Sequence, residues 1–171
     1  DKNPVYVQKF KMQISECETY LGAEISEKGP RESVNKSLRK RIKAAMGKEF
    51  QLSKMLESDQ MDKAGWLDAA KTLANSIISP TLTYAAQSYA FMSKNQIDEV
   101  EGAFKEILYR MLKLSKYTQY AAVLLECNMI KVKHIINQLK IGFIKDLIHS
   151  KGYGPCLDIH KKEEQLYPGT G

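Results

Sequence analysis

Asp98, Glu99 and Glu101 crowd together in the sequence and are the first residues to weigh for chemistry. Phosphoryl transfer by two metal ions needs carboxylates paired closely enough to hold both ions. These three fall at the expected start of a helix, where acids complement the helix dipole, and we read them in that structural role. No Asp-Asp pair occurs anywhere, and Glu163-Glu164 lies in a polar tail read as solvated. Cys127 has His134 seven positions on, but nothing orients the pair, and a buried thiol is the expectation. The nucleophile-elbow, P-loop and zinc-protease motifs are all missing. Cys17, Cys127 and Cys156 form no C-x-x-C pair, and His134, His149 and His160 sit at no finger-like interval from them. Three widely spaced cysteines suit reduced thiols inside a cell. We expect no catalytic residue, no metal site and no cofactor in this chain, and no enzyme activity from it alone.

The chemistry on offer is cationic. Lys36, Arg39, Lys40, Arg41, Lys43 and Lys48 fall in one stretch of a chain whose net charge is +6. On a helical wheel Lys36, Arg39, Lys40 and Lys43 lie within about 100° of one another. They oppose a stripe of Val34, Leu38, Ile42 and Ala45, and Gly47 shares their sector. Like charges three and four residues apart repel by roughly a few tenths of a kcal/mol each. Phosphates would relieve that repulsion, and Gly47 would let a backbone approach closely. The candidate nucleic-acid contacts are therefore Lys36, Arg39, Lys40, Lys43, Gly47 and Lys48. The alternative is a solvated face that keeps the domain in solution. Lys131, Lys133, Lys140, Lys145 and Lys151 are spread around another helix, and we read them as solvated.

The elements that must carry these residues are mostly helical. Phe10, Met12 and Ile14 alternate with Lys9, Lys11 and Gln13, the period-2 pattern of a strand. Glu16-Cys17-Glu18 is the expected turn, with Tyr20 to Ile25 returning as a second strand. Such a hairpin needs a packing partner. The helical pattern then runs from Glu32 to about Glu57, carrying Leu52 and Leu56 on the apolar stripe. Asp59 is the expected cap of a second helix from Met61 to Ile78, which Ser79-Pro80 interrupts. Thr81 to Phe91 reads as a short helix or a buried continuation. Further helices are expected over 94–114, 119–126 and 130–150, with Ser93 capping the first. Gly152, Gly154 and Pro155 end the pattern, leaving at most a short polar helix over 158–166. At 171 residues the chain has room for one real core, and its apolar runs are too short for a membrane span. The expected fold is mainly α, a multi-helix bundle preceded by a small N-terminal β-hairpin. Its parts are a hairpin over 1–28, a bundle over 29–151 and a linker or tail over 152–171. The opening Asp1-Lys2-Asn3-Pro4 has neither an initiator Met nor an apolar signal region, so we expect a piece of a longer protein.

Two segments flank the basic helix, Thr19 to Ile25 and Ile77 to Tyr89. In this order and spacing they resemble the end of the palm and the thumb of reverse transcriptases from non-LTR retrotransposons. Tyr20-Leu21-Gly22 resembles the primer-grip hairpin of that group, and Pro80-x-Leu82-x-Tyr84 resembles its thumb motif. Ala85 stands where glycine is usual, and Tyr89 where tryptophan is usual. The likeness spans roughly residues 5 to 150. It implies that Tyr20, Leu21 and Gly22 meet the primer end, and that the basic helix tracks the RNA–DNA template–primer duplex, or RNA. Trp66, Tyr84 and Tyr89 would be thumb core. The resemblance further implies a parent RNA-directed DNA polymerase using Mg2+, whose palm is the other partner, residing inside the cell, in the nucleus. A different class also fits: a helical protein-interaction module whose basic face meets an acidic protein or its own copy, or which dimerises through a face the palm would cover. A membrane-surface role fits poorly, because the basic helix lacks aromatic residues at its polar–apolar border.

Overall fold

The computed structural model describes residues 6–7, 10–11, 17–20, 23–58, 62–86 and 92–149. It is mainly helical, a multi-helix bundle as expected. The spine is α1 (Pro30–Ser58), 29 residues long, against which α2 (Lys63–Leu73), α3 (Ser79–Thr83) and α4 (Lys94–Met111) pack. Then come α5 (Tyr120–Glu126) and α6 (Val132–His149), the latter lying on α4 and α3.

The stripe on α1 behaves largely as its spacing predicts. Val34, Leu38, Ala45, Leu52 and Leu56 are buried, facing Ile78, Leu82, Phe104, Ile107 and Leu108 in one core. Each large side chain taken out of water there contributes about 1.5–3 kcal/mol of transfer free energy. Two polar residues share that stripe. Arg41 and Glu49 are each 6% exposed. Glu49 meets Arg110 of α4 at 3.1 Å, so a buried carboxylate is paired across the α1–α4 interface.

The N-terminal strands differ from expectation. Phe10–Lys11 (β2) pairs with Tyr6–Val7 (β1), and Cys17–Tyr20 (β3) pairs antiparallel with Ala23–Ser26 (β4). Cys17 and Glu18, expected in a turn, are strand residues opposite Ser26 and Ile25. The packing partner that the hairpin needs is α1 itself. The Glu24 and Ser26 amides of β4 donate to the hydroxyls of Ser37 and Ser33, both at 2.8 Å. The spacings match: two strand residues advance about 6.8 Å, and one i,i+4 step on a helix about 6 Å. Neither periodicity nor propensity could signal this strand-to-helix seam.

Pro80 does not end the helical path. A π-helical turn, Ala74–Ile78, joins α2 to α3, with the Ser79 amide donating to the Ala74 carbonyl five residues back. The wider turn carries the chain into α3 with Pro80 near its start. The cap of α2 is Asp62, whose side chain accepts from the Gly65 N–H at 2.7 Å; Asp59 lies outside the described residues. Ser93 caps α4 as expected, in a reciprocal capping box with Gln96. That helix stops at Met111 rather than Leu114. Lys113 turns left-handed at φ 53°, and the Leu114 amide reaches back to the Tyr109 carbonyl at 2.9 Å. Among the described residues no helix is long and apolar enough to cross a membrane.

Candidate nucleic-acid interface

The outer face of α1 is solvent-exposed where the cations cluster. Arg39 and Lys43 are exposed, and among the described residues neither has an ion-pair partner. Lys36 is held only loosely by Glu32 at 3.9 Å. Lys40 is more committed than its sequence suggests. Its ammonium lies 2.6 Å from Glu24 of β4 and 3.3 Å from the Thr19 hydroxyl, fastening the strand pair to α1. Gly47 is exposed, and a Cβ added there would meet nothing within 4 Å. Lys48 lies beyond it and donates to the Thr81 hydroxyl at 2.9 Å. Tyr20 ends β3, while Leu21 and Gly22 are outside the described residues.

Residues that sequence reasoning passed over or misjudged complete this surface. Phe50 is 59% exposed on the outer face, with Lys54 4.4 Å above its ring. Arg41 points into the seam between α1 and α3, its guanidinium 4.8 Å from the Tyr84 ring centroid. Tyr84, expected in the core, is 56% exposed. Glu24 is the acid that tempers the cluster. Arg41 carried one legible signal: an arginine on an otherwise apolar stripe needs an aromatic or acidic partner. Trp66 does belong to the bundle, partly buried, with its indole N–H donating to the Met111 carbonyl at 2.9 Å. Tyr89 is outside the described residues.

An open groove runs beside this face, with a volume of about 560 Å³. It is lined by Ala44, Ile77 and Pro80, by Lys40, Arg41 and Lys48, and by Tyr84. The π turn supplies Ile77 and Ser76 to the wall. Just past Tyr84 the backbone turns left-handed at Ala85, φ 51°, a conformation that costs a non-glycine residue about 1–2 kcal/mol.

A second basic cleft lies at the end of α4, lined by Lys105, Arg110, Lys113 and Lys116, with a volume of about 430 Å³. Its charges are largely balanced. Arg110 meets Glu49 at 3.1 Å and Glu106 at 3.0 Å, and Lys113 meets Glu57 at 3.4 Å. A phosphate arriving there competes with acids already in place, whereas at Arg39 and Lys43 it does not. The α1 face is the better anion site on that ground.

Asp98, Glu99 and Glu101, weighed for chemistry, lie beyond the first turn of α4, which carries no acid, so they do not complement its dipole as expected. Glu101 joins three helices, accepting from the Tyr120 hydroxyl at 2.7 Å and from the Lys133 amide at 2.9 Å. Burial, and then Glu101, push the Tyr120 hydroxyl well above the ordinary tyrosine range. Asp98 and Glu99 are placed by α4, and Glu163-Glu164 lies outside the described residues. Cys127 is buried as expected, and burial raises its thiol above the usual range. Lys140, read as solvated, is half-buried, and desolvation lowers its ammonium below the usual lysine range. Among the described residues no group of three or more His, Cys, Asp or Glu side chains could hold a metal ion. Fold and site together define a helical bundle with one cationic face and an adjoining groove. Comparison with protein-family models, curated proteins and solved structures gives no match to this chain.

Proposed function

We propose that this chain is a non-catalytic, thumb-like piece of a retrotransposon RNA-directed DNA polymerase. It holds the RNA–DNA template–primer duplex on the outer face of α1, through Lys36, Arg39, Lys43 and Lys48 with Gly47 between them. The observation that carries the reading is the exposure of Arg39 and Lys43 without a neutralising acid among the described residues. Unpaired cations on one helix face meet phosphates at the least desolvation cost, and backbone contacts of this kind position a duplex without reading its sequence. Ala85 adds support from the resemblance side, because the position usually taken by glycine is one where the backbone turns left-handed. In this reading Mg2+ and its carboxylates belong to the parent polymerase, whose palm is the second partner, and the setting is nuclear. Charge reversal of Lys36, Arg39, Lys40 and Lys43 together should weaken binding to an RNA–DNA hybrid and flatten its salt dependence. Unchanged affinity would sink the proposal.

A second reading has its own observation. Ile141 and Ile148, seven residues apart on one side of α6, are 66% and 60% exposed. An apolar helix face of this kind suits a protein interface, either with the palm or with another copy of the chain. Sedimentation against concentration, with and without a hybrid duplex, separates the two: self-association that is indifferent to nucleic acid favours the interaction module.

A further inference from the structure

The groove beside α1 is built unlike the face that adjoins it. A duplex backbone needs cations, but here Ala44, Ile77 and Pro80 line the groove together with Lys40, Arg41 and Lys48. Tyr84 also lines it, more than half exposed, with the Arg41 guanidinium 4.8 Å from its ring centroid. Its volume of about 560 Å³ lies within the ~300–1,000 Å³ typical of ligand clefts. Apolar lining, an exposed aromatic ring and a lysine match one nucleotide, with its base against the ring and its phosphate at the lysine. Paired bases keep their faces inside the stack, so only an unpaired nucleotide can offer a face to Tyr84. The local backbone around the groove is unusual, with Ser76 and Ile77 supplied by a π turn and a left-handed Ala85 next in the chain after Tyr84. Features of both kinds concentrate at functional sites.

We propose that this groove receives an unpaired nucleotide of the strand held on α1, its base stacked on Tyr84 and its phosphate at Lys48. The proposal rests on the reading that α1 holds nucleic acid, and adds to it a preference for a single-stranded extension.

The test measures binding of three labelled hybrids: one flush-ended, one with a short unpaired extension, and one whose extension is abasic. The unmodified protein should bind the extended hybrid more tightly than the flush one, and the abasic extension should give no such gain. Base–aromatic stacking contributes about 1–3 kcal/mol, so Tyr84→Ala should cost roughly 5- to 150-fold on the extended hybrid. Flush-hybrid affinity should not change in that variant, which also reports that it is folded, and Tyr84→Phe should keep the gain. An extension effect that survives Tyr84→Ala, or that the abasic strand reproduces, overturns the groove proposal. The α1 reading then still stands if Arg39→Ala with Lys43→Ala weakens the flush hybrid. Failure of the unmodified protein to bind any hybrid overturns both. Adenosine monophosphate is the remaining arm: Tyr84-dependent binding of the free nucleotide, with no extension effect, overturns the strand in favour of a small ligand.

Discussion

Replacing Arg39 and Lys43 together by alanine isolates the electrostatics of the α1 face from its architecture. Both side chains are exposed, and neither has an ion-pair partner among the described residues. Surface changes away from caps and cores move stability by less than about 0.5 kcal/mol, so the melting temperature should stay put. Removing one cation–phosphate pair from a duplex complex makes the log–log salt slope shallower by about 0.9, so the double replacement should remove ~1.8. Taking the electrostatic gain to vanish near ~1 M salt, one such pair is worth about 5-fold at 0.15 M, and two ~30-fold. At 0.05 M salt the double replacement should cost ~200-fold. Fluorescence anisotropy of a labelled RNA–DNA hybrid across a salt series reads both quantities in one experiment. Two comparators sharpen it. Lys113→Ala removes a cation already facing Glu57 at 3.4 Å and should shift the slope by less than half as much as one free cation, about 0.4. Glu24→Gln frees Lys40 from its 2.6 Å partner and should steepen the slope by up to ~0.9. A slope left unchanged by the double replacement, in protein that melts normally, refutes the assignment of the duplex to this face.

Three stability predictions follow from the packing. Ala85→Gly should be neutral to stabilising by up to about 1 kcal/mol, since relief of left-handed strain outweighs glycine's added chain entropy, while Ala85→Val should destabilise; chemical denaturation checks both. Ser33→Ala with Ser37→Ala should cost about 1–3 kcal/mol for each β4 amide left without its hydroxyl acceptor, and faster hydrogen exchange at Glu24 and Ser26 is the local readout. Tyr120→Phe should cost about 1–3 kcal/mol by leaving a Glu101 oxygen without its donor. Its pH signature has a definite sign. The folded state holds the Tyr120 proton more tightly than the unfolded chain, so its contribution is complete below about pH 10 and is lost as pH rises above that. Urea midpoints at neutral and alkaline pH should therefore converge between the parent protein and Tyr120→Phe as pH increases, and a constant difference would count against the tighter hold that burial and Glu101 give the Tyr120 proton.

Much of the bundle could be read from spacing alone. The stripe through Val34, Leu38, Ala45, Leu52 and Leu56, the Ser93 cap and the burial of Cys127 all follow from local rules, because a helix's period and its end groups are properties of neighbouring residues. The cationic sector of α1 was legible for the same reason. Interactions between distant segments were not. Whether Lys40 is available depends on Glu24, sixteen residues away, and whether Tyr84 is core or surface depends on how a π turn carries Pro80 past α1. Glu101 could equally have faced solvent until α5 and α6 brought Tyr120 and Lys133 to it. The sequence by itself determined a helical chain with one basic face. Tertiary structure decided which of those cations remain uncommitted and that a groove opens beside them, because ion pairing and concavity arise only between elements already packed together.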